Sequence, residues 1–99
     1  MKRRIAIRDA AIADLDAMYW QGVALWGGRQ ARVYLEALES LFELLAEQPE
    51  IARQRGEFDP PVRIYPFRSH VVIYRADTAE LDILRVVHGK TNWLEVLAG

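Results

Sequence analysis

Residues 63–88 read RIYPFRSHVVIYRADTAELDILRVVH, and this stretch decides the fold. Apolar runs bounded by turn-forming residues are typical of β-strands, and arginines and histidines stand at the ends of these runs. The predicted order is a turn at Phe67–Ser69, a strand at His70–Arg75, a loop at Ala76–Glu80 and a strand at Leu81–Val87. Pro66 precedes the turn and cannot donate a hydrogen bond to a ladder. Its run is therefore expected to be an edge strand or to carry a bulge.

Two helices are predicted upstream of this region. After a first strand at Arg4–Arg8, Asp9 is the expected N-cap of a helix that ends at Gly27 and Gly28. Apolar residues then recur at three- and four-residue steps from Ala31 to Leu45, which predicts a second helix, stopped by Pro49. Gly22 lies inside the first helix, where it indicates either a bend or the close approach of another backbone. Residues 50–61 show no pattern and are expected to be a loop.

These elements predict an α+β fold that forms a single domain over residues 1–99. An N-terminal strand is followed by an antiparallel two-helix hairpin, because the connection between the helices is short, and the hairpin packs on an antiparallel sheet. Trp93, Leu94 and Leu97 give the tail helix-like spacing, but a helix this short needs to dock to be stable.

The composition argues against several kinds of site and partner. The chain has no cysteine, which excludes disulfides, thiolate metal sites and a cysteine nucleophile, and suits the reducing cytoplasm, our predicted location. Its net charge of -1 argues against sequence-specific nucleic-acid binding. No apolar run approaches the roughly 18–20 residues that a membrane span needs, so no membrane partner is expected.

Counting side chains along the strands predicts a sheet that is apolar on both faces. Alternation divides the last strand into two sets: Leu81, Ile83, Arg85 and Val87 against Asp82, Leu84, Val86 and His88. The strand before it divides in the same way, into Val71 and Ile73 against Val72 and Tyr74. The hairpin can cover one face only, so the tail, aromatic side chains or another protein must close the second. We favour another protein.

The candidate chemistry is sparse. Arg85 lies mid-strand among apolar residues and needs a carboxylate, for which Asp82 and Glu57 are candidates, or a groove. His70 and His88 lie on neighbouring strands with no acid at metal-ligand spacing, so no metal site is expected. Ser69 is adjacent to His70, but neighbouring strand residues point to opposite faces, which disfavours a nucleophile pair. The sequence therefore predicts no catalytic residues and no cofactor.

Several motifs occur in a characteristic order: A-x-x-D-L-x-x-M-Y (11–19), W-G-x-x-Q-A-x-x-Y (26–34), L-x-x-L-F-E-L-L-A-E-Q-P (38–49), SHVVIYR (69–75) and ILRVVH (83–88). Together they resemble the ParE branch of the RelE/ParE superfamily of bacterial type II toxins. The resemblance implies a curved antiparallel sheet, a ParD-like antitoxin partner and inhibition of DNA gyrase without enzymatic activity. It also implies target contacts near the C-terminal end, for which the candidates are Arg85, His88, Lys90 and Trp93.

The apolar surface of the sheet and hairpin supplies the candidate antitoxin contacts: Trp20, Tyr34, Val72, Tyr74, Leu84 and Val86. Arg63 and Arg85 match family arginines, but Arg68 stands where the family usually has glycine before Ser-His. RelE relatives cut ribosome-bound mRNA with basic residues and a C-terminal tyrosine or histidine, and this chain has neither a central-strand lysine nor a tyrosine after His88. Ribosome-dependent mRNA cleavage is the alternative function, and a non-toxic binding module is a third.

Overall fold

Two long helices, a short C-terminal helix and five strands form the part of the chain that the structure describes. The structure is a computed structural model, and it describes residues 2–98 apart from the side chains of Leu94 and Ala98. In chain order the elements are β1 (Arg4–Ile7), α1 (Asp9–Trp26), α2 (Gly28–Glu47), a 3₁₀ turn (Pro49–Ile51), β2 (Gln54–Arg55), β3 (Val62–Phe67), β4 (His70–Ala76), β5 (Glu80–His88) and α3 (Trp93–Ala98). The predicted α+β fold is confirmed. The 3₁₀ turn and β2 lie where the sequence predicts only a loop.

The sheet is mixed, with the strand order β1-β5-β4-β3-β2. Strands β2 to β5 pair antiparallel, as predicted, but β1 lies parallel to β5, with Arg4 opposite Glu80. The predicted antiparallel sheet thus corresponds to β2 to β5, and the first strand, to which the sequence assigned no partner, makes the sheet mixed. Side-chain alternation shows which residues share a face, but it carries no information on strand direction. Within residues 2–98, β2 pairs with only the first two residues of β3, so Pro66 lies on the unpaired edge of that strand, as predicted.

The helical hairpin is held by glycines at two positions. Gly27 joins the helices with a φ of 91°, a backbone conformation that suits glycine. A Cβ atom on Gly22 would lie 3.2 Å from the Cβ of Ala31, so the missing side chain lets α1 and α2 approach closely. The prediction of Asp9 as N-cap is wrong by one residue. Arg8 is the N-cap, and Asp9 is the first helical residue, where its charge still favours the helix N-terminus.

A β-bulge in β5 overturns the predicted division of that strand into faces. Tyr74 pairs with Ile83 and Ile73 pairs with Arg85, so Leu84 has no partner on β4. The extra residue shifts the alternation by one. Val86 consequently packs under the helices, on the same face as Leu81 and Ile83, and Val87 packs on the opposite face. The prediction placed Val87, and not Val86, on the face of Leu81 and Ile83.

Helix α3 closes the second face of the sheet. Trp93, Val96 and Leu97 pack with Phe58 against an apolar cluster of the strands: Val62, Ile64, Val71, Ile73 and Val87. The prediction that a partner protein completes this face is therefore wrong, because the tail, one of the alternatives, covers it. Of the helices in residues 2–98, none combines the length and the apolar character needed to span a membrane.

Candidate functional site

A cleft opens where the hairpin meets the ends of β4 and β5. Its volume is about 160 Å³, and its walls include Met18 and Trp26 from α1, Tyr34 from α2, His70 from β4 and His88 from β5. We call this feature the hairpin cleft. It combines an apolar wall from the helices with a polar end from the strands.

Three side chains are linked at the polar end. The Tyr34 hydroxyl lies 2.8 Å from Nδ1 of His70. His70 and His88 are directly opposite in the β4–β5 pairing, and their ring centroids are 5.7 Å apart. Burial lowers the pKa of His70 below its ordinary value, and the neighbouring His88 lowers it further. Both effects favour the neutral imidazole of His70, which shares a hydrogen bond with the Tyr34 hydroxyl.

Arg68 forms the rim of the cleft in the turn between β3 and β4. It has a φ of 55°, which is the left-handed region that favours glycine. A two-residue connection with a positive φ at its first residue commonly has glycine there, which explains the glycine expected from the resemblance. The Arg68 guanidinium lies 5.2 Å from the ring centroids of both Tyr34 and Phe67. These contacts hold a positive charge beside the cleft.

Large apolar side chains are exposed around the tip of the hairpin. Trp20, Leu25, Trp26 and Val33 are 60, 63, 57 and 49% exposed, and we call this set the hairpin patch. Trp26 also lines the cleft and stacks on Tyr34 with a centroid separation of 6.2 Å, so patch and cleft are continuous. Leu25 also lines the cleft and Val33 lines the groove beside it, and exposed apolar surface of this kind marks interaction sites.

Arg85 is not a free cation. Its Nε and a terminal nitrogen donate to the Asp14 carboxylate over 2.7 and 2.9 Å, and the Val86 amide donates to the same carboxylate over 3.0 Å. This ion pair raises the pKa of Arg85. The expected partners Asp82 and Glu57 are wrong, because they pair with Arg8 and Arg55. The bond to Asp14 ties α1 to β5 beyond the last residue of β1.

The four residues expected to contact the target do not form one surface. His88, the last residue of β5, and Lys90 are exposed and close together, and the Lys90 amide donates to Nδ1 of His88 over 3.3 Å. Arg85 is held in the ion pair with α1. Trp93 packs on the second face of the sheet, with the Arg55 guanidinium 5.6 Å from its ring centroid. The structure thus brings two of the four together.

The six residues expected to contact an antitoxin are divided between surface and core. Trp20 is exposed in the hairpin patch, Tyr34 lines the cleft and Leu84 packs on the second face. The remaining three lie under the helices, at 0, 0 and 3% exposure: Val72, Tyr74 and Val86. These buried side chains offer no surface to a partner in this structure.

Sequence reasoning missed most of the hairpin patch, which adds Leu25, Trp26 and Val33 to the candidate residues. A signal was present, because the run GVALWGG at residues 22–28 places more apolar residues together than one face of a helix can bury. Among the described residues, no three histidine or carboxylate side chains converge in a way that could hold a metal ion. The arrangement is suited to binding a partner through apolar contacts next to imidazole and guanidinium groups.

Known proteins are similar to this chain in sequence and in fold. A sequence model of the family "ParE toxin of type II toxin-antitoxin system, parDE" matches residues 5–93. Toxin ParE1 of Mycobacterium tuberculosis is 33% identical over 94 residues, which cover 93% of this chain and 95% of that protein. Toxin ParE3 of Caulobacter vibrioides is 29% identical over 79 residues, or 80% of this chain and 79% of that protein. A solved structure of the chromosomal ParDE TA system from P. aeruginosa shares the fold, with a TM-score of 0.74 and 24% identity over 88% of this chain and 96% of that chain.

Proposed function

Because the chain belongs to the ParE toxin family of type II toxin–antitoxin systems, we propose that it inhibits DNA gyrase and that a ParD-like antitoxin neutralises it. The family match extends over residues 5–93, and thus over the two long helices α1 and α2, the five strands apart from the first residue of β1, and the first residue of α3. Inhibition of gyrase would block DNA replication, and it requires action in the cytoplasm.

The hairpin patch carries the antitoxin part of the proposal. Four large apolar side chains are about half or more exposed there, beside a cleft that can receive a further side chain. Burying one such side chain completely stabilises a complex by about 1.5–3 kcal/mol. An antitoxin segment that lies across Trp20, Leu25, Trp26 and Val33 and enters the cleft would therefore bind tightly. Tyr34 would contact the same segment from inside the cleft.

The proposed target surface adjoins this antitoxin surface. His88 lines the hairpin cleft and Lys90 lies two residues beyond it, both exposed. An antitoxin segment in the cleft would cover His88 and stand between the target and this end of the sheet. Neutralisation would then follow from simple occlusion, with no change in the fold of the toxin.

A surface role accounts for the polar groups better than catalysis does. Cleavage of RNA requires cations at the scissile phosphate as well as acid and base groups. Arg85 is already paired with Asp14, and Arg68 lies over two aromatic rings. The adjacent imidazoles of His70 and His88 are the one observation that favours ribosome-dependent mRNA cleavage, which is the second candidate function.

Two assays on the purified chain separate these functions. We expect inhibition of gyrase supercoiling, accumulation of gyrase-cleaved DNA and no cleavage of mRNA on translating ribosomes. Replacing both His88 and Lys90 by alanine should weaken inhibition, whereas Arg53→Ala, which removes an exposed charge outside the cleft, should not. Cleavage of mRNA without gyrase inhibition would favour the second candidate. Activity in neither assay would indicate a binding module.

The antitoxin surface is tested separately with a co-purified ParD-type antitoxin. Trp26→Ala should weaken neutralisation at least tenfold while leaving gyrase inhibition intact, because one deeply buried aromatic anchor is worth more than about 1.4 kcal/mol. Ile51→Ala is the matched control, since Ile51 is a 40% exposed apolar residue outside the patch and the cleft. Equal neutralisation of the Trp26→Ala variant and the unsubstituted chain would exclude the hairpin patch.

A further inference from the structure

We propose that the hairpin cleft is a receptor for an acidic side chain of the antitoxin, with the carboxylate held by His70 and His88 and an adjoining apolar group packed against Trp26. This inference rests on the proposed function, because it specifies the chemistry of the segment that the cleft receives. It predicts an aspartate or glutamate next to an apolar anchor in that segment.

Charge is the first argument. The chain contains 14 acidic residues, yet none of the described residues that line the cleft or the adjoining groove between Trp26, Val33 and Arg68 is acidic. The same two features contain both histidines and the Arg68 guanidinium. Asp14 lies close by, at the outer side of His70 and His88, but its carboxylate is occupied by Arg85 and the Val86 amide. The cleft is therefore complementary to an anion.

Hydrogen-bonding capacity is the second argument. The Tyr34 hydroxyl occupies Nδ1 of His70, and the Lys90 amide occupies Nδ1 of His88. Nδ1 of each ring is thus engaged, which leaves Nε2 as the atom available to a ligand, and neither Nε2 has a hydrogen-bond partner within residues 2–98. Two N–H donors on rings 5.7 Å apart can serve the two oxygens of one carboxylate. The Tyr34 bond also fixes the orientation of the His70 ring.

The site implies that binding depends on pH. Burial and the neighbouring His88 hold the pKa of His70 below its ordinary value in the free protein. A bound carboxylate favours the charged imidazole, so it raises that pKa and the complex takes up a proton. The affinity for the carboxylate is therefore highest at pH values below the pKa of His70 in the free protein. It falls as the pH rises through the pKa of His70 in the complex. The groups in contact with His70 are the Tyr34 hydroxyl and His88. The Arg68 guanidinium lies over the Tyr34 ring, and the Asp14–Arg85 ion pair lines the outer groove together with both histidines.

A small acid that combines the two features is a suitable probe. 3-Phenylpropionate carries an aromatic ring and a carboxylate, and 3-phenylpropanamide is its uncharged counterpart of the same shape. The measurement follows the imidazole resonances of His70 and His88 in the full chain by NMR while either compound is added. A ligand of this size is expected to bind with a Kd of a few millimolar, about 5 mM, at pH 6.

The acid should bind about tenfold more tightly than the amide at pH 6, and this ratio should fall by pH 8. His70→Gln keeps an acceptor for Tyr34 but cannot become charged, so it should abolish the pH dependence; His88→Gln should reduce the preference for the acid. Arg53→Gln, which removes an exposed positive charge outside the cleft, should bind like the unsubstituted chain.

Equal affinity for acid and amide, or histidine resonances that neither compound shifts, would overturn the proposal. The comparison of the two compounds needs no variant, so it stands even if a substitution prevents folding. A failure here would leave gyrase inhibition and antitoxin binding untouched, whereas absence of gyrase inhibition would refute the proposed function without changing the result with the probe.

Discussion

The ion pair between Asp14 and Arg85 is expected to be a main stabilising contact between the hairpin and the sheet. Asp14 accepts two hydrogen bonds from Arg85 and one from the Val86 amide, and the two charged side chains are 14 and 29% exposed. Asp14→Asn retains the shape and one acceptor but removes the charge. It leaves the Arg85 guanidinium without a counter-ion at a half-buried position.

The expected loss of stability follows from this geometry. Hydrogen bonds to charged groups are worth about 1.5–3 kcal/mol, and breaking a fully buried pair costs about 3–5 kcal/mol. Because the pair is partly exposed, we expect Asp14→Asn to cost about 2 kcal/mol, which is about 8–16 °C in Tm for a domain of this size. Arg85→Met should cost a similar amount, about 2 kcal/mol, because it leaves the Asp14 carboxylate, which is 14% exposed, with the Val86 amide as its remaining donor.

A double-mutant cycle with urea denaturation measures the pair directly. The coupling energy between Asp14→Asn and Arg85→Met should be at least about 1 kcal/mol, because the two groups touch only in the folded state. Asp16→Asn is the control on the same helix, exposed and without a hydrogen bond or ion pair in residues 2–98, and it should change stability by less than about 0.5 kcal/mol. If Asp14→Asn were as stable as Asp16→Asn, the inferred role of this contact would be refuted.

Substitutions at three further positions test the fold. Gly22→Leu should cost about 2 kcal/mol by urea denaturation, since even a Cβ would lie 3.2 Å from that of Ala31, whereas Gly22→Ala should be close to neutral. Burial raises the pKa of Tyr74 to about 12, so the stability that the neutral hydroxyl contributes is complete below the unfolded-state pKa of about 10 and is lost as pH rises through 12. Between pH 10 and pH 12 the free energy of unfolding should fall by up to about 1.4 kcal/mol per pH unit. Tyr74→Phe should remove this pH dependence. Tyr74→Phe should also cost about 1 kcal/mol at pH 7, because it loses the 2.7 Å hydrogen bond to the Pro49 carbonyl. Arg68→Gly should be about 1 kcal/mol more stable than Arg68→Ala in the same assay, since both lose the aromatic contacts but only glycine relieves the φ of 55°; equal stability would contradict the assigned backbone strain.

The parts of the fold that depend on local patterns can be predicted from the sequence. The periodicity from Ala31 to Leu45 predicts α2, and the glycine pair predicts the turn of the hairpin. What local patterns do not contain is the pairing of distant residues. Arg85 selects Asp14, 71 positions away, over the nearby Asp82, because the hairpin lays α1 along β5. That choice depends on the packed arrangement and could not be inferred from spacing.

In the candidate site, too, local patterns predict some residues, and the others depend on how distant segments pack. The ordered motifs predict a ParE-like fold, and of the residues predicted to contact an antitoxin, Trp20 is exposed and Tyr34 lines the cleft. Counting faces failed for Val86 because it assumed an uninterrupted strand. The remaining exposed residues of the hairpin patch require knowledge of how the two helices cross, since Leu25 and Trp26 are left outside the core only once α2 has packed against Gly22.

The bulge at Leu84 connects the core to the proposed site. Ala76 pairs with Leu81, and in an antiparallel pair each earlier residue of β4 lies opposite a later residue of β5. Without a bulge, His70, which is six residues before Ala76, would therefore lie opposite Val87. The unpaired Leu84 shifts this register by one residue and brings His88 opposite His70 instead. The inserted residue therefore does two things together: it sends Val86 under the helices and Val87 under α3, and it places the two imidazoles side by side at the cleft. A carboxylate receptor made of both histidines exists only in this register, so the packing of the two sheet faces and the chemistry of the cleft depend on the same irregularity.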